Sequence, residues 1–249
     1  MSRILVINPN ISEDVTKLIA AESKRAARPD TELIFDTAKF GVEYIETRME
    51  SVIAGYATAC IAAERAGEYD GVVVAAFGDP GLTGIKELLD CPVVGMTEAA
   101  LASACLLGQR FSIIAISWRI TAWYRETVER SHLSTRLASI RSLTSPLRSI
   151  SSVQEDHSER LIELANQAVE QDGADVIILA GAPLAGLARS LEGKLSVPVV
   201  DGVSSAVCHC ESLVNLKSGA AVSGSFAKPP VKPNKGLSPA LANMLNRGI

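Results

Sequence analysis

Three blocks of this chain occur twice, in the same order. "RILVINPNISEDVTKLI" from Arg3 returns as "RFSIIAISWRITAWYRETV" from Arg110. "DGVVVAAFGDPGL" from Asp70 returns as "DVIILAGAPLAGL" from Asp175, and "CPVVGMTEAAL" from Cys91 as "VPVVDGVSSAV" from Val197. The offsets are 107, 105 and 106 residues. Three matches at one spacing constrain the fold more than any other feature: the chain holds two copies of one unit, a repeat of two rather than a solenoid. Two similar lobes about a pseudo-two-fold axis are the expected outcome.

Each copy reads as strand–helix alternation. Short apolar, β-branched runs at 3–8, 32–37, 71–76, 91–96, 110–117, 137–143, 175–181 and 197–202 are expected strands. Helical patterns fill 12–26, 48–66, 80–89, 98–107, 119–131, 154–172, 184–191 and 203–216. Nearly continuous apolar strands between helices argue parallel sheets covered on both faces. The fold class is therefore α/β, with two pseudo-symmetric Rossmann-like lobes, mostly parallel sheets and a site in the cleft between them. Residues 1–96 with 203–222 are assigned to lobe 1, 97–202 to lobe 2, and 223–249 to a C-terminal tail. In open α/β sheets ligands bind beyond the carboxyl ends of the strands. Facing lobes bring those ends together, so Ala76 and Gly181, at offset 105, are expected on opposite walls of one cleft. That geometry suits chemistry needing a group on each face of a planar intermediate.

Composition removes several function classes. The formal net charge is −4, and there is no aromatic-plus-basic stripe, so nucleic acid is not an expected partner. The longest apolar run, around 72–77, is far short of the roughly 20 residues that a membrane span requires. No signal-peptide pattern precedes the first strand, so the expected location is the cytoplasm. Aromatic residues are only 4% of a chain that is 47% hydrophobic, which predicts an aliphatic core. Cys60, Cys91, Cys105, Cys208 and Cys210 have no disulfide-type spacing and read as reduced. Cys208 and Cys210 flank His209, but residues two apart on a helix point about 200° apart, so no metal site is expected there.

"INPN" (7–10), "FGDPGL" (77–82), "PVVGMTEAAL" (92–101), "ILAGAPLAGL" (178–187) and "VPVVDGVSSAV" (197–207) occur in order across almost the whole chain. In them the sequence resembles the Asp/Glu racemase superfamily, and within it the hydantoin and allantoin racemase branch. The resemblance implies racemisation at a carbon next to a carbonyl of a small ureide or amino-acid-like substrate, without pyridoxal phosphate or metal. It also implies an acid/base pair of two cysteines, one per lobe. This sequence carries Ala76 and Gly181 at those two places. None of its five cysteines substitutes by position. Each positioned acid or base contributes about 10²–10⁴-fold, so the two-thiol mechanism does not carry over. Isomerase-type chemistry without thiols is the first reading. A lyase or decarboxylase using an oxyanion hole is the second, and a silent small-molecule binding protein the third.

The remaining candidates surround the two strand ends. Asn8 and Asn10 lie where the first strand turns into a helix, with Ser12 as expected N-cap; a helix N-terminus suits a carboxylate or ureide oxygen. Ser117 is the second-lobe counterpart, expected to cap a helix and reach ligand, and Arg119 beside it is a candidate partner for an acidic substrate. Phe77 and Gly78, following Ala76, and Ala182, following Gly181, complete the walls. Asp79 reads first as a pin of its turn and second as a base raised by burial. "GVEYIE" (41–46) matches a pocket segment of the resembled family; Tyr44 there is a candidate hydrogen-bond donor, while Glu43, Glu46, His132 and His157 read as solvated. The Pro- and Lys-rich tail is expected to lie on a neighbouring surface, in a homo-oligomer whose tail crosses to another subunit.

Overall fold

The structure, a computed structural model, describes residues 2–144, 149–150 and 152–246. The first sheet comprises β1 (Ser2–Asn8), β2 (Thr31–Thr37), β3 (Gly71–Val74) and β4 (Val93–Gly95), in the order β2-β1-β3-β4. The second comprises β5 (Phe111–Ala115), β6 (Leu137–Ser142), β7 (Val176–Ala180) and β8 (Val199–Asp201), in the order β6-β5-β7-β8. Both sheets are parallel throughout, and the second repeats the strand order of the first. The eight strands fall on the eight expected runs. β3, β5 and β7 are buried along their whole length, as is β1 from Ile4 onward, whereas the edge strands β2 and β6 are half-buried. Each buried Val, Leu or Ile contributes roughly 1.5–3 kcal/mol relative to exposure, which explains why an aliphatic chain needs few aromatics.

Helices follow the strands: α1 (Glu13–Ala26), α2 (Arg48–Glu64), α3 (Leu82–Leu88), α4 (Met96–Leu107), α5 (Thr121–Arg130), α6 (Val153–Asp172), α7 (Leu187–Ser190) and α8 (Gly202–Leu216). Their starts carry the expected chemistry. Ser12 accepts from the Val15 amide at the head of α1, and Thr47 with Glu50 forms a capping box at α2.

Two helices change sides. α4 follows the first sheet yet packs mainly against β7 and α8; α8 follows the second sheet and packs on α1, β1, β3 and β4. The approach of α8 to β3 is close enough that a Cβ at Gly71 would lie 2.7 Å from Cys210 Sγ. Where α4 and α8 meet, Met96 lies over Gly202, and Ser103 Oγ is 3.1 Å from His209 Nε2. Each pair is separated by 106 residues, the repeat offset, so the pseudo-two-fold axis runs between these helices.

The tail folds back on the first lobe. Beyond α8 the chain turns back on itself, Lys228 pairs with Asp90, and α9 (Pro239–Asn246) packs on α2 with Leu241 buried. The Leu241, Met244, Leu245 stripe has helical spacing and packs with apolar residues of α2, β1 and β3.

Candidate active site between the two sheets

The carboxyl ends of both sheets converge on one small cavity. Asn10, Tyr44, Ala76, Phe77, Ser117, Gly181 and Ala182 all line it, closed in by Ile45, Ile116, Ile120, Tyr124, Ile150 and Pro183. Ala76 and Gly181 each stand just past a strand, after β3 and β7. The cavity measures about 40 Å³, space for a few waters. A far larger cavity, about 1010 Å³, lies elsewhere, lined by Ser2, Thr31, Asp70 and Pro92. Those residues mark the amino ends of the first sheet, where an open parallel sheet presents no convergent loops. The small cavity is therefore the candidate site.

Asn8 and Asn10 divide their tasks. Asn8 Nδ2 donates to Asn10 Oδ1, the Ser12 carbonyl and Thr16 Oγ1 at 2.9–3.0 Å, which fixes the turn. Asn10 Oδ1 also accepts from the Ser12 amide at 2.8 Å. The oxygen of Asn10 is thus engaged, and no acceptor among the described residues takes its Nδ2. Ser117 caps the 3-10 turn 118–120, accepting from the Arg119 amide at 3.2 Å, and its hydroxyl donates to the Glu46 carboxylate. Glu46 is therefore not a freely solvated carboxylate as its sequence context suggests. It belongs to the 38–47 segment after β2, which crosses to the second lobe, where Arg48 also pairs with Glu126 of α5. The Tyr44 phenol is pushed above its ordinary value, by burial first and then by the Glu46 and Glu50 carboxylates, so it is a neutral donor. Tyr124 is raised by burial as well and stacks obliquely on Phe77, with ring centroids 4.7 Å apart.

Asn8 lies outside the cavity lining, and so do three further candidates. Gly78 turns away: its amide donates to Thr97 Oγ1, and a Cβ on it would lie 2.3 Å from the Trp123 ring, so its glycine serves packing. Arg119 is exposed over the Trp118 ring, 5.7 Å from its centroid. Asp79 pins its turn, as first read. Its carboxylate accepts from the Thr97 and Glu98 amides at 2.7 and 2.9 Å, capping α4 from the neighbouring loop. Desolvation pushes it up to about 7. The second lobe has the counterpart with roles exchanged: Asp201 caps α8 through Val203 and Ser204 and reaches the Gly186 amide of the β7–α7 loop at 2.7 Å.

No cysteine lines the cavity. Burial raises Cys91 to about 11 and also raises Cys208 and Cys210, the reverse of what an attacking thiolate needs. Among the described residues no three His, Cys, Asp or Glu side chains gather as a metal site, and no helix is long and apolar enough to cross a membrane.

Two parallel sheets of equal order, with a candidate site among the loops at their carboxyl ends, define a two-lobed α/β protein. Comparison with known proteins gives the family. The profile of the Asp/Glu/hydantoin racemase family matches residues 4–210. The hydantoin racemase of Paenarthrobacter aurescens is 36% identical over 235 residues, covering 92% of this chain and 98% of that protein. The allantoin racemase of Klebsiella pneumoniae superposes with a TM-score of 0.92 at 33% identity, over 97% of this chain and 99% of that one. The allantoin racemase of Pseudomonas fluorescens gives 0.88 at 33% identity, over 94% and 100%. The chain belongs to the Asp/Glu/hydantoin racemase family.

Proposed function

We propose that this protein is a cofactor-independent isomerase acting at a carbon next to a carbonyl of a small ureide or amino-acid-like substrate, and that it works without the family's thiol pair. The cavity shared by Ala76 and Gly181 carries this reading, because it places one strand end of each lobe against the same small volume. The names of the similar proteins, hydantoin racemase and allantoin racemase, supply the substrate class. Asn10 Nδ2 and the Tyr44 phenol are the donors for a ureide oxygen, and Ile45, Phe77, Ile116 and Ile120 keep water away from the reacting carbon. A ring of this kind exceeds about 40 Å³, so binding requires the cavity to widen.

A second reading is favoured by the absence of any cysteine from the lining: a member that binds such molecules without turning them over. One experiment separates the two. The protein is incubated in D₂O with allantoin and with single enantiomers of 5-substituted hydantoins, and exchange at the ring carbon is followed by NMR alongside optical rotation. Exchange with loss of rotation supports the isomerase. A raised melting temperature with no exchange assigns the binding reading.

A further inference from the structure

The cavity lacks thiols, yet a proton path leads out of it among the described residues. Ser117 lines the cavity, and its hydroxyl is hydrogen-bonded to a carboxylate from a segment 71 residues away. Among the described residues, the other lining side chains with a titratable proton are the phenols of Tyr44 and Tyr124. Both are held neutral by burial, so neither supplies a base. Asp79 is occupied by two backbone amides of α4 and lies outside the lining. A carboxylate connected to the cavity through a hydroxyl is thus the base within reach of a substrate carbon.

We infer that Ser117 is the residue that takes the substrate proton, with Glu46 as the positioning carboxylate that receives the proton Ser117 gives up. The inference rests on the isomerase reading above. In the forward step the substrate C–H bond breaks, its electron pair moves into the adjacent carbonyl as an enolate, and the proton forms a new bond to Ser117 Oγ. The proton that Ser117 already donates to Glu46 moves onto that carboxylate. Charge is conserved: a carboxylate becomes a carboxylic acid as the neutral substrate becomes an enolate. Asn10 Nδ2 is the unengaged donor for the enolate oxygen. In reverse, Glu46 returns a proton through Ser117, and in D₂O it returns a deuteron. The relay delivers to one face of the substrate, since Ser117 belongs to one wall. Exchange therefore proceeds faster than inversion, and one enantiomer exchanges in preference to the other.

The test uses the full-length protein and the two enantiomers of a 5-substituted hydantoin, with exchange read by NMR and binding by the ligand-induced melting shift. The variants are Ser117→Ala, Glu46→Gln and Glu46→Asp, each first melted without ligand to establish that it is folded. The expected result is wild-type exchange favouring one enantiomer. Ser117→Ala and Glu46→Gln each lower it by about 10²-fold or more, with the ligand-induced shift retained. Glu46→Asp keeps a carboxylate and restores exchange to within about tenfold of wild type, which a purely structural bond to Ser117 does not require. Wild-type exchange that persists in folded Ser117→Ala and Glu46→Gln overturns the relay and leaves the isomerase reading standing. Wild type that binds the hydantoin without exchange overturns both.

Discussion

At the scale of single residues, what matters is what stands at the two strand ends. Ala76 is nearly buried, and Gly181 adopts φ +123°, a backbone conformation L side chains rarely take. Space is not the obstacle at Gly181, because a Cβ there would sit 3.5 Å from Pro183 Cδ and 3.8 Å from Ile116 Cδ1, ordinary contacts. The obstacle is the backbone, whose strain costs on the order of 1–3 kcal/mol for a non-glycine residue. Gly181→Cys is therefore expected to lower stability by about that amount, and Ala76→Cys by less, in urea unfolding. The double variant is expected to gain ring-carbon exchange on hydantoins beyond either single change, because inversion by two thiols needs one on each face. The gain is small, since a placement error of about 1 Å costs roughly 10²-fold. A folded, hydantoin-binding double variant with no added exchange would show that the site has drifted from the two-thiol geometry. Thiol reagents make the converse check. Cys208 is exposed and the cavity contains no cysteine, so iodoacetamide should label Cys208 slowly and leave activity intact. Rapid inactivation that substrate prevents would contradict this placement.

At the scale of elements, the two buried carboxylates tie each site loop to the helix behind it. Asp79 is itself left-handed, at φ 50°, and Gly95 must lack a side chain because a Cβ there would meet the Asp79 carboxyl carbon at 2.4 Å. Part of the residue remains accessible, but its carboxylate is enclosed between Gly95 and the head of α4. Because the folded protein holds the Asp79 proton up to about pH 7, while an unfolded chain releases it near 4, the folded state binds more protons across that window. Stability contributed by this group is complete below about pH 4 and is lost as pH rises through 7, by at most about 1.4 kcal/mol per pH unit. Asp201, also raised by burial, adds a dependence of the same sign. Urea midpoints at pH 5, 6, 7 and 8 should therefore fall as pH rises in this protein. Asp79→Asn should flatten that slope while lowering stability overall, because one of the two α4 amides loses its acceptor. An unchanged slope in Asp79→Asn would mean that another group carries the dependence.

At the scale of the whole molecule, legibility in the sequence followed the range of the interaction. Runs such as Val72–Val74 and Ile177–Leu179 declare buried parallel strands by composition alone, and the repeat offset placed Ala76 and Gly181 together. The Ser117–Glu46 bond was not legible, because 71 residues separate its partners and neither belongs to a repeated block of the other. Gly78 was misplaced for a similar reason: only the packed α5 shows that Trp123 fills the space beside it. The seat of the tail on α2 was not legible, because its apolar stripe could be matched to a surface only after α2 was in place. The exchange of α4 and α8 between the two sheets, which the expected limits of 97–202 for one lobe and 203–222 for the other already contain, leads to the last prediction. Met96 and Gly202 are equivalent positions in the repeat, packed against each other near the pseudo-two-fold axis. A Cβ at Gly202 would lie 2.7 Å from Met96 Cγ and 2.9 Å from Met96 Cε. Gly202→Ala should therefore overpack the helix pair and cost about 1–3 kcal/mol. Met96→Ala alone should leave a cavity and cost about 2–5 kcal/mol. Combined, the two changes should cost less than the sum of their separate effects, by about 0.5–3 kcal/mol, because the new methyl occupies space the methionine vacates. The measurement is a double-mutant cycle in urea, followed by fluorescence of Trp118 and Trp123, both in the second lobe, and by far-ultraviolet circular dichroism of the whole chain. Coincident transitions with a non-additive cycle would establish that the α4–α8 contact couples the two lobes into one cooperative unit. Additive costs, or a tryptophan transition separate from the overall one, would mean that the lobes unfold independently and that the cavity between them is held by its own loops alone.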